Sequence, residues 1–384
     1  MEKIREYISK GQDEMITFLE RLVNIDSGTY CKKGIDMCGQ IISEELQALC
    51  FQTKTIPEVD CGDHIKADRP GLGDKRLFLC AHLDTVCPEG TVVKRPFRIE
   101  GNLAYGPGVG DMKGGIVQMI FALRALRDLK RETPPISVFL TGDEEAGSVR
   151  GRPYIEAEAR RSSLVLVMEP SPSTFPGAIV VRRWGVGAFY LNIYGKAAHV
   201  LAPDSQGINA NRELALKILA LDGLSDTMRG IKVSVNLVRG GTSRQVTASE
   251  ARADIDVRIR DTAQMAGVES SVRQVASTPI LPGIRLELKG QITRPPMEPN
   301  PNTEAYLELA AKVGQEIGIE VRTAERTAGS DGCFTSALGV ATFDAMGPIC
   351  HDICGENERI EVNSIIPRTL LTAGIIERFI KEAK

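Results

Sequence analysis

Histidine and acidic residues directly follow several apolar runs of this 384-residue chain. The run LFLCA leads into His82, with Asp84 two residues later. Such a run is typical of a buried strand, and α/β sheets bind ligands at the carboxyl ends of their strands. Residues two apart in extended chain share a face, so Asp84 could accept a hydrogen bond from His82 and fix its tautomer. The same pair in a surface turn would have no function.

Other carboxylates stand in comparable places. Asp111 lies in the glycine-rich segment YGPGVGDMKGG, which can bring backbone close to a ligand. Asp143, Glu144 and Glu145 follow the strand-like run SVFL, and Glu169 follows LVLVM. Adjacent carboxylates repel unless a cation or a proton intervenes, although in a solvated loop they would mean nothing. The pattern favours a site where one carboxylate binds metal while its neighbour takes a proton from water.

His351 follows the apolar run 340–343 and a Gly-Pro turn. Histidine with carboxylates at strand ends is typical of a metal site. We therefore expect His82, Asp111 and Glu169 to hold one ion. A second ion would be held by Asp111, Glu145 and His351, with Asp111 shared. Because the glycines before Asp111 do not fit GxGxxG, a dinucleotide site is disfavoured.

The composition is that of a globular protein, with 42% hydrophobic and 25% charged residues and a net charge of -3. Charges of both signs are interspersed, which disfavours a nucleic-acid partner. The apolar runs are too short to cross a membrane, and the charged N-terminal segment does not resemble a signal peptide. Nine cysteines without a repeated CxxC pair fit reduced thiols, so we expect a cytoplasmic protein.

The elements that position these residues alternate between strand and helix over residues 1–183, which predicts an α/β fold with a mostly parallel sheet. The segment opens on a predicted helix from about Ile4 to Leu22. Residues 184–293 show the order β-α-β-β-α-β, which is the split βαβ, or ferredoxin-like, pattern. The Pro-rich stretch TRPPMEPNPN follows. We predict a catalytic domain in two parts, 1–183 and 294–384, interrupted by an α+β domain at 184–293.

Taken together and in order, the motifs resemble those of one family. They are HLDTV, YGPGVGDMKGG, TGDEEAGS, MEP, GKAAH, the pair Gly240-Gly241 followed by DVR, and RTAGSDG. The chain resembles the zinc metallopeptidases that include aminoacylase, acetylornithine deacetylase, succinyl-diaminopimelate desuccinylase and glutamate carboxypeptidase. The segments GPGVGDMKGG and LVNIDSGT are most similar to the glutamate carboxypeptidase branch.

The resemblance implies a role for each matching residue. It implies two zinc ions per chain, or cobalt or manganese, held by His82, Asp111, Glu145, Glu169 and His351. Glu144 would be the general base and Asp84 the orienting partner of His82. The peptide bond after Asp111 is often cis in such enzymes. Gln245 stands where the family usually has asparagine, and the spacing from His351 to Glu358 is longer than in the glutamate carboxypeptidases.

The inserted domain is similar to the family's lid and dimerisation domain. The resemblance implies a homodimer in which His199 reaches the partner's active site and stabilises an oxyanion. Arg258 would bind the substrate's free carboxylate, assisted by Arg326, and Gln245 could polarise the carbonyl. The expected substrate is an N-acyl amino acid or a short peptide, cleaved at the amide next to a free carboxylate. Two alternatives stay open: an N-acyl amino acid deacylase, and a non-catalytic metal-binding relative.

Overall fold

The computed structural model describes residues 1–171, 175–203 and 206–380. The helices in this part of the chain are α1 (Glu2–Lys10), α2 (Gln12–Val23), α3 (Lys32–Ala48), α4 (Thr91–Lys94), α5 (Gly115–Asp128), α6 (Arg152–Ala159), α7 (Ala210–Asp222), α8 (Thr262–Ser277), α9 (Pro301–Ile317), α10 (Gly332–Ala337) and α11 (Val362–Phe379). A kinked segment at Val109–Gly114 precedes α5, and a short 3-10 turn covers Glu144–Ala146.

The strands alternate with these helices along the chain. They are β1 (Gln52–Ile56), β2 (His64–Arg69), β3 (Leu77–His82), β4 (Arg98–Glu100), β5 (Leu103–Tyr105), β6 (Ile136–Thr141), β7 (Leu164–Val167), β8 (Ala178–Arg183), β9 (Gly185–Tyr194), β10 (Ile231–Gly240), β11 (Glu250–Ile259), β12 (Arg285–Arg294), β13 (Arg322–Arg326), β14 (Ala341–Phe343), β15 (Cys350–His351) and β16 (Arg359–Glu361).

The chain divides into two compact units. Unit 1 comprises Met1–Arg182, Pro299–Glu325 and Ser330–Lys384, and unit 2 comprises Arg183–Glu298 with Arg326–Gly329. The first division lies one residue before the one predicted from sequence, and the second lies five residues after it. The short return of the chain to unit 2 at 326–329 has no counterpart in the prediction.

Unit 1 is built on a six-stranded sheet of order β1-β2-β6-β3-β7-β14. The strands β6, β3, β7 and β14 run parallel, and β2 and β1 add an antiparallel edge. The mostly parallel α/β sheet predicted from sequence is confirmed. Every residue of β3, β6 and β7 is buried, because helices cover both faces of such a sheet and leave no polar alternation.

The N-terminal segment differs from its prediction. One helix was expected through residue 22, whereas α1 ends at Lys10 and α2 begins at Gln12. Gly11 lies between them and donates its backbone N–H to the carbonyls of Tyr7 and Ile8. Glycine weakens a helix interior by about 1 kcal/mol relative to alanine, so the break falls where the helix is weakest.

Two smaller sheets complete this part of the fold. One has the order β15-β16-β5-β4, all antiparallel, and the other pairs β8 with β13. The first of them carries the loop from His351 to Glu358. It therefore brings a distant part of the sequence to the segment around Asp111, as described below.

Unit 2 is a four-stranded antiparallel sheet of order β10-β11-β9-β12 with helices α7 and α8. In chain order its elements run β9-α7-β10-β11-α8-β12, which is the ferredoxin-like pattern. Buried residues alternate along β9 and β11, as expected when one face of a sheet packs against helices. Across residues 1–171, 175–203 and 206–380, no helix combines the length and the apolar character needed to span a bilayer.

Candidate metal centre

The His82 ring lies at the carboxyl end of β3, and the residue is almost completely buried. Its Nε2 is 3.0 Å from Asp111 Oδ1 and 3.5 Å from Glu169 Oε1. Its Nδ1 is 2.9 Å from the backbone carbonyl of Asp84. The contact of Nδ1 with the Asp84 carbonyl fixes the ring so that Nε2 faces the two carboxylates, which is the orientation that a metal-ligating imidazole requires.

The Asp84 carboxylate has a wider role than the sequence predicted. It lies 3.5 Å from His82 Nδ1, farther than the residue's own carbonyl. Its hydrogen bonds come from Thr29 Oγ1 at 2.8 Å and from the backbone N–H groups of Glu144 and Glu145 at 3.0 and 3.1 Å. Asp84 thus holds the histidine through its backbone and the turn of the two glutamates through its carboxylate.

Asp111 lies in the segment Val109–Gly114 before α5, where its backbone angles (φ -106°, ψ 90°) are not helical, and its peptide bond to Met112 is cis, as the family resemblance implied. The buried Glu358 carboxylate accepts the backbone N–H groups of Gly110 and Asp111, at 2.8 and 3.0 Å. A Cβ on Gly110 would lie 2.3 Å from Cys350 Sγ, so this position requires glycine. These contacts fix the backbone on both sides of the Asp111 side chain.

Glu144 and Glu145 begin a short 3-10 turn directly after Asp143, beyond β6. Asp143 is structural: its carboxylate accepts Thr141 Oγ1 at 2.7 Å and the Arg150 N–H at 2.7 Å. His64 is fully buried and accepts the Gly142 N–H at 2.9 Å. Asp143 and His64 thus stabilise the backbone around the turn. Glu144 and Glu145 are the candidate site residues of this segment.

His82, Asp111 and Glu145 offer ligand atoms that all lie within 4.8 Å of one another. Burial and the Asp111 charge raise the pKa of Glu145 to about 10. Burial alone would lower the pKa of His82, but hydrogen bonds with Asp111, Asp84 and Glu169 raise it well above its ordinary value. The cluster therefore carries surplus negative charge that protons balance, and a divalent cation can take their place. This donor set fits a metal ion.

His351 lies in β15, at the start of the loop that leads to Glu358. Its Nε2 is 2.8 Å from Glu361 Oε1, and in the described part of the chain it does not join the group of His82, Asp111 and Glu145. The side chain found beside that group is Cys354, whose Sγ is 3.1 Å from Asp111 Oδ2 and 4.0 Å from Glu145 Oε1.

Sequence reasoning missed Cys354 because it sought histidine and paired CxxC cysteines. The available signal was a thiol three residues beyond His351, in the same loop and before Glu358. Burial, with the Asp111 and Glu145 charges, raises the pKa of this thiol.

The remaining predicted site residues belong to unit 2 or its boundary. His199 is exposed, its Nδ1 accepts the Leu201 N–H, and its backbone pairs with Val246. The exposed Gln245 lies beside it, because the Val200 N–H donates to the Gln245 carbonyl. The structure therefore brings His199 and Gln245 together.

The two arginines predicted to bind substrate already have contacts. Arg258 is paired through two nitrogens with Asp256, at 2.8 and 3.0 Å. The Arg326 carbonyl accepts the Trp184 N–H at the end of β13.

The profile of Peptidase family M20/M25/M40 matches residues 78–378, most of the chain and all of the metal cluster. The chain belongs to this family. The family resemblance inferred from sequence is confirmed, and the chain is a metallopeptidase or amidohydrolase of that family. It is 28% identical to carboxypeptidase G2 of Pseudomonas sp. (strain RS-16) over 370 residues, covering 95% of this chain and 89% of that protein.

A second similarity is to a different kind of enzyme. The chain is 25% identical to the succinyl-diaminopimelate desuccinylase of Thioalkalivibrio sulfidiphilus over 361 residues, covering 90% of this chain and 94% of that one. Both relatives are thus matched over nearly their whole length, and the family alone does not separate peptidase from deacylase.

Solved structures share the fold. A tripeptidase from Staphylococcus aureus superposes with a TM-score of 0.81 at 21% identity, covering 96% of this chain and 99% of that one. A dinuclear metal binding peptidase of the M20 family from Bacillus subtilis gives a TM-score of 0.71 at 16% identity, covering 97% and 99%. At these sequence identities the structural similarity shows a common fold and nothing more.

Proposed function

We propose that this chain is a dinuclear zinc hydrolase that cleaves the amide bond next to a free-carboxylate amino acid, in the manner of a glutamate carboxypeptidase. The observation that carries the proposal is the convergence of His82 Nε2 with the Asp111, Glu145 and Glu169 carboxylates, beside the turn that begins with Glu144. The similarity to carboxypeptidase G2 over 95% of the chain favours the peptidase reading.

The residues divide between two cation positions. His82 Nε2 is 3.0 Å from Asp111 Oδ1 and 3.5 Å from Glu169 Oε1, so these three residues would hold one cation. Asp111 and Glu145 would hold the other together with His351, as the sequence predicts. Bound cations would supply Lewis acidity toward the amide carbonyl and lower the pKa of a water. Zinc suits nitrogen and carboxylate ligands, and cobalt or manganese could replace it.

Glu144 is the proposed general base. It precedes Glu145, and its backbone N–H is held by the Asp84 carboxylate, so the turn cannot shift freely. Its carboxylate takes the proton of the attacking water and then returns it to the leaving amine. Water attack and amine departure are thus linked by one side chain.

Unit 2 supplies the proposed substrate contacts. Arg258 would bind the free carboxylate through its two-nitrogen fork, which Asp256 already orients. Gln245 and Arg326 would assist with polar contacts. The exposed His199 would stabilise the oxyanion of the partner subunit's substrate, which requires a homodimer formed through this unit.

A substrate panel tests the proposal. The purified chain, with metal content measured on the same sample, is offered α- and γ-linked glutamyl amides together with N-acetyl and N-succinyl amino acids. Preferential cleavage of the glutamyl amides supports the carboxypeptidase. Preference for N-acyl amino acids favours the deacylase, which the similarity to the desuccinylase also supports. With zinc or cobalt bound, failure to cleave any member contradicts the hydrolytic function and favours a non-catalytic relative.

A further inference from the structure

A cavity of about 460 Å³ lies beside Glu145 in unit 1. Its wall is formed by residues of three segments, 28–31, 85–89 and 145–146. Glu145 also belongs to the group that offers ligand atoms to a cation. Thr85, another wall residue, packs against the segment that carries Asp111, since a Cβ on Gly108 would lie 2.5 Å from Thr85 Cγ2. The cavity therefore adjoins the candidate metal centre.

Hydrogen bonds hold the three wall segments together. Thr29 donates its backbone N–H to the Thr85 carbonyl at 3.1 Å and its hydroxyl to the Asp84 carboxylate at 2.8 Å. The same carboxylate accepts the Glu145 N–H at 3.1 Å. The cavity is thus preformed, as small-molecule sites usually are, and its volume falls within their range of roughly 300–1,000 Å³.

The proposed function leaves one half of the substrate for this cavity. The free carboxylate of the leaving amino acid is assigned to Arg258, in unit 2. The acyl group lies on the other side of the scissile carbonyl, which bound cations would polarise. A cavity of unit 1 that adjoins the metal centre is therefore suited to the acyl group.

The cavity wall is neutral except for two carboxylates. Its neutral side chains include those of Tyr30, Cys31, Val86, Cys87, Pro88 and Ala146. Its charged residues are Glu89 and Glu145, and no lysine, arginine or histidine lines it in the described part of the chain. Tyr30 and Val86 are 90% and 46% exposed, so apolar surface is available to a bound molecule. This lining suits an uncharged acyl group.

Two cations near the wall have partners elsewhere. Arg95 Nη2 is 3.7 Å from Cys87 Sγ, while its Nη1 donates to the Gly355 carbonyl at 3.3 Å. Lys32 forms an ion pair with Asp36 at 3.0 Å. Neither cation is among the residues that line the cavity, so the lining remains acidic.

We propose that this cavity binds the acyl half of the substrate and that Glu89 makes it select neutral acyl groups over those with a carboxylate, such as succinyl. The inference rests on the proposed function and narrows its substrate class. A cation bound at Glu145 offsets the charge of that carboxylate, which leaves Glu89 as the remaining charge of the wall. A substrate carboxylate beside Glu89 is repelled, and this repulsion discriminates against the desuccinylase type of substrate.

Two isosteric compounds test the charge selection on the metal-loaded full chain. They are the N-succinyl and N-succinamoyl derivatives of the amino acid that the substrate panel selects, or of glutamate if it selects none. Their acyl groups have nearly equal size, but only succinyl carries a carboxylate. We expect kcat/KM for the succinamoyl derivative to exceed that for the succinyl derivative at least about fivefold at low salt, and the ratio to shrink as salt screens the charge.

Variants of Glu89 test whether this residue sets the ratio. Glu89→Gln should lower the ratio roughly 2–5-fold, as expected for one exposed charge, and Glu89→Lys should lower it further. Glu132→Lys is the matched control, because it changes an exposed charge before β6, at the end of that strand remote from Glu144. It should leave the ratio unchanged.

Binding to Glu144→Gln separates this inference from the proposed function, because the variant lacks the base but keeps the ligand set. Isothermal titration calorimetry should show tighter binding of the succinamoyl derivative than of the succinyl derivative, with the same dependence on Glu89. The bound succinamoyl derivative should also protect Cys31, in the cavity wall, from iodoacetamide, while the exposed Cys50 stays reactive.

The outcomes overturn different claims. Equal binding and cleavage of the two derivatives, or a ratio that Glu89→Lys leaves unchanged, overturns the charge selection. No binding of either derivative, or binding that does not protect Cys31, overturns the assignment of the cavity to the acyl group. Charge-selective binding without any cleavage by the natural chain supports the cavity assignment and overturns the proposed function instead.

Discussion

The carboxylate of Asp84 accepts a hydrogen bond from the backbone N–H of Glu144, with 3.0 Å between the two atoms. The residue that holds the His82 ring through its carbonyl therefore also fixes the turn that presents the proposed base. In Asp84→Asn one acceptor oxygen becomes an NH2 group, which cannot accept the Glu144 or Glu145 N–H. We expect kcat to fall roughly 10–100-fold. Steady-state kinetics measures the change.

Thr29→Ser is the matched control for Asp84→Asn, because it keeps the hydroxyl that donates to Asp84 Oδ2. It should retain nearly all activity. An Asp84→Asn variant with unchanged kcat would show that the turn needs no carboxylate.

Glu144 and Glu145 are adjacent but should fail in different ways. Glu144→Gln removes the base and leaves the ligand set intact, so kcat should fall about 10²–10⁴-fold while metal content stays unchanged. Glu145→Gln should instead lower the metal content. Inductively coupled plasma mass spectrometry on both variants, beside their kinetics, separates the two roles. If the effects are reversed, the assignment of base and ligand is reversed too.

The proposed action of His199 on a partner's substrate predicts complementation between inactive variants. In a mixed dimer of Glu144→Gln and His199→Ala, one active site has both residues intact. An equal mixture that exchanges subunits should recover roughly a quarter of the natural activity, because half the dimers are mixed and each has one intact site. Recovery is followed after mixing, with each variant alone as control. No recovery despite proven subunit exchange would place His199 outside the partner's site.

Glu158 gives the fold a pH dependence remote from the metal. Burial would raise its pKa, but hydrogen bonds from Lys66 and Arg161 lower the pKa below the ordinary 4.5. The unfolded chain then takes up this proton first as the pH falls. The stability that Glu158 provides is full above pH 4.5 and is lost as the pH falls through the lowered pKa.

Glu158→Gln should therefore lower the free energy of unfolding by about 1–3 kcal/mol at pH 7 and by less at pH 4. Denaturant unfolding at the two pH values measures both differences. Glu6→Gln, which breaks an exposed pair with Lys10, should leave the stability nearly unchanged. An equal loss for Glu158→Gln at both pH values would contradict the ion-pair explanation.

The sequence predicted elements with strong periodicity or continuous apolar character. The strands β3, β6 and β7 are buried throughout and were found from their apolar runs. The antiparallel strands β1 and β2 were not predicted, because their residues are mostly polar and only partly buried. The two- and three-residue strands of the sheet β15-β16-β5-β4 are too short to show a sequence pattern, and they depend on pairing between distant segments.

The candidate site likewise contains features that could be predicted from the sequence and features that could not. Carboxylates at strand ends could be predicted, since strand ends of a parallel sheet lie at one edge. The contact of Cys354 with Asp111 could not be predicted, because it depends on how a loop folds back. In that loop Asp352 and Cys354 take positive φ values of 53° and 62°, which composition does not reveal. The Asp84 carboxylate likewise accepts the backbone N–H groups of Glu144 and Glu145, which are too distant in the sequence for the contact to be predicted.

Anomalous scattering at the zinc edge, from crystals grown with zinc, tests the metal centre most directly. We expect two peaks roughly 3.5–4 Å apart, on either side of the Asp111 carboxylate. One should contact His82 Nε2 and Glu169, and the other should contact Glu145 and His351. A single peak, or peaks that lie on other residues, would contradict the account.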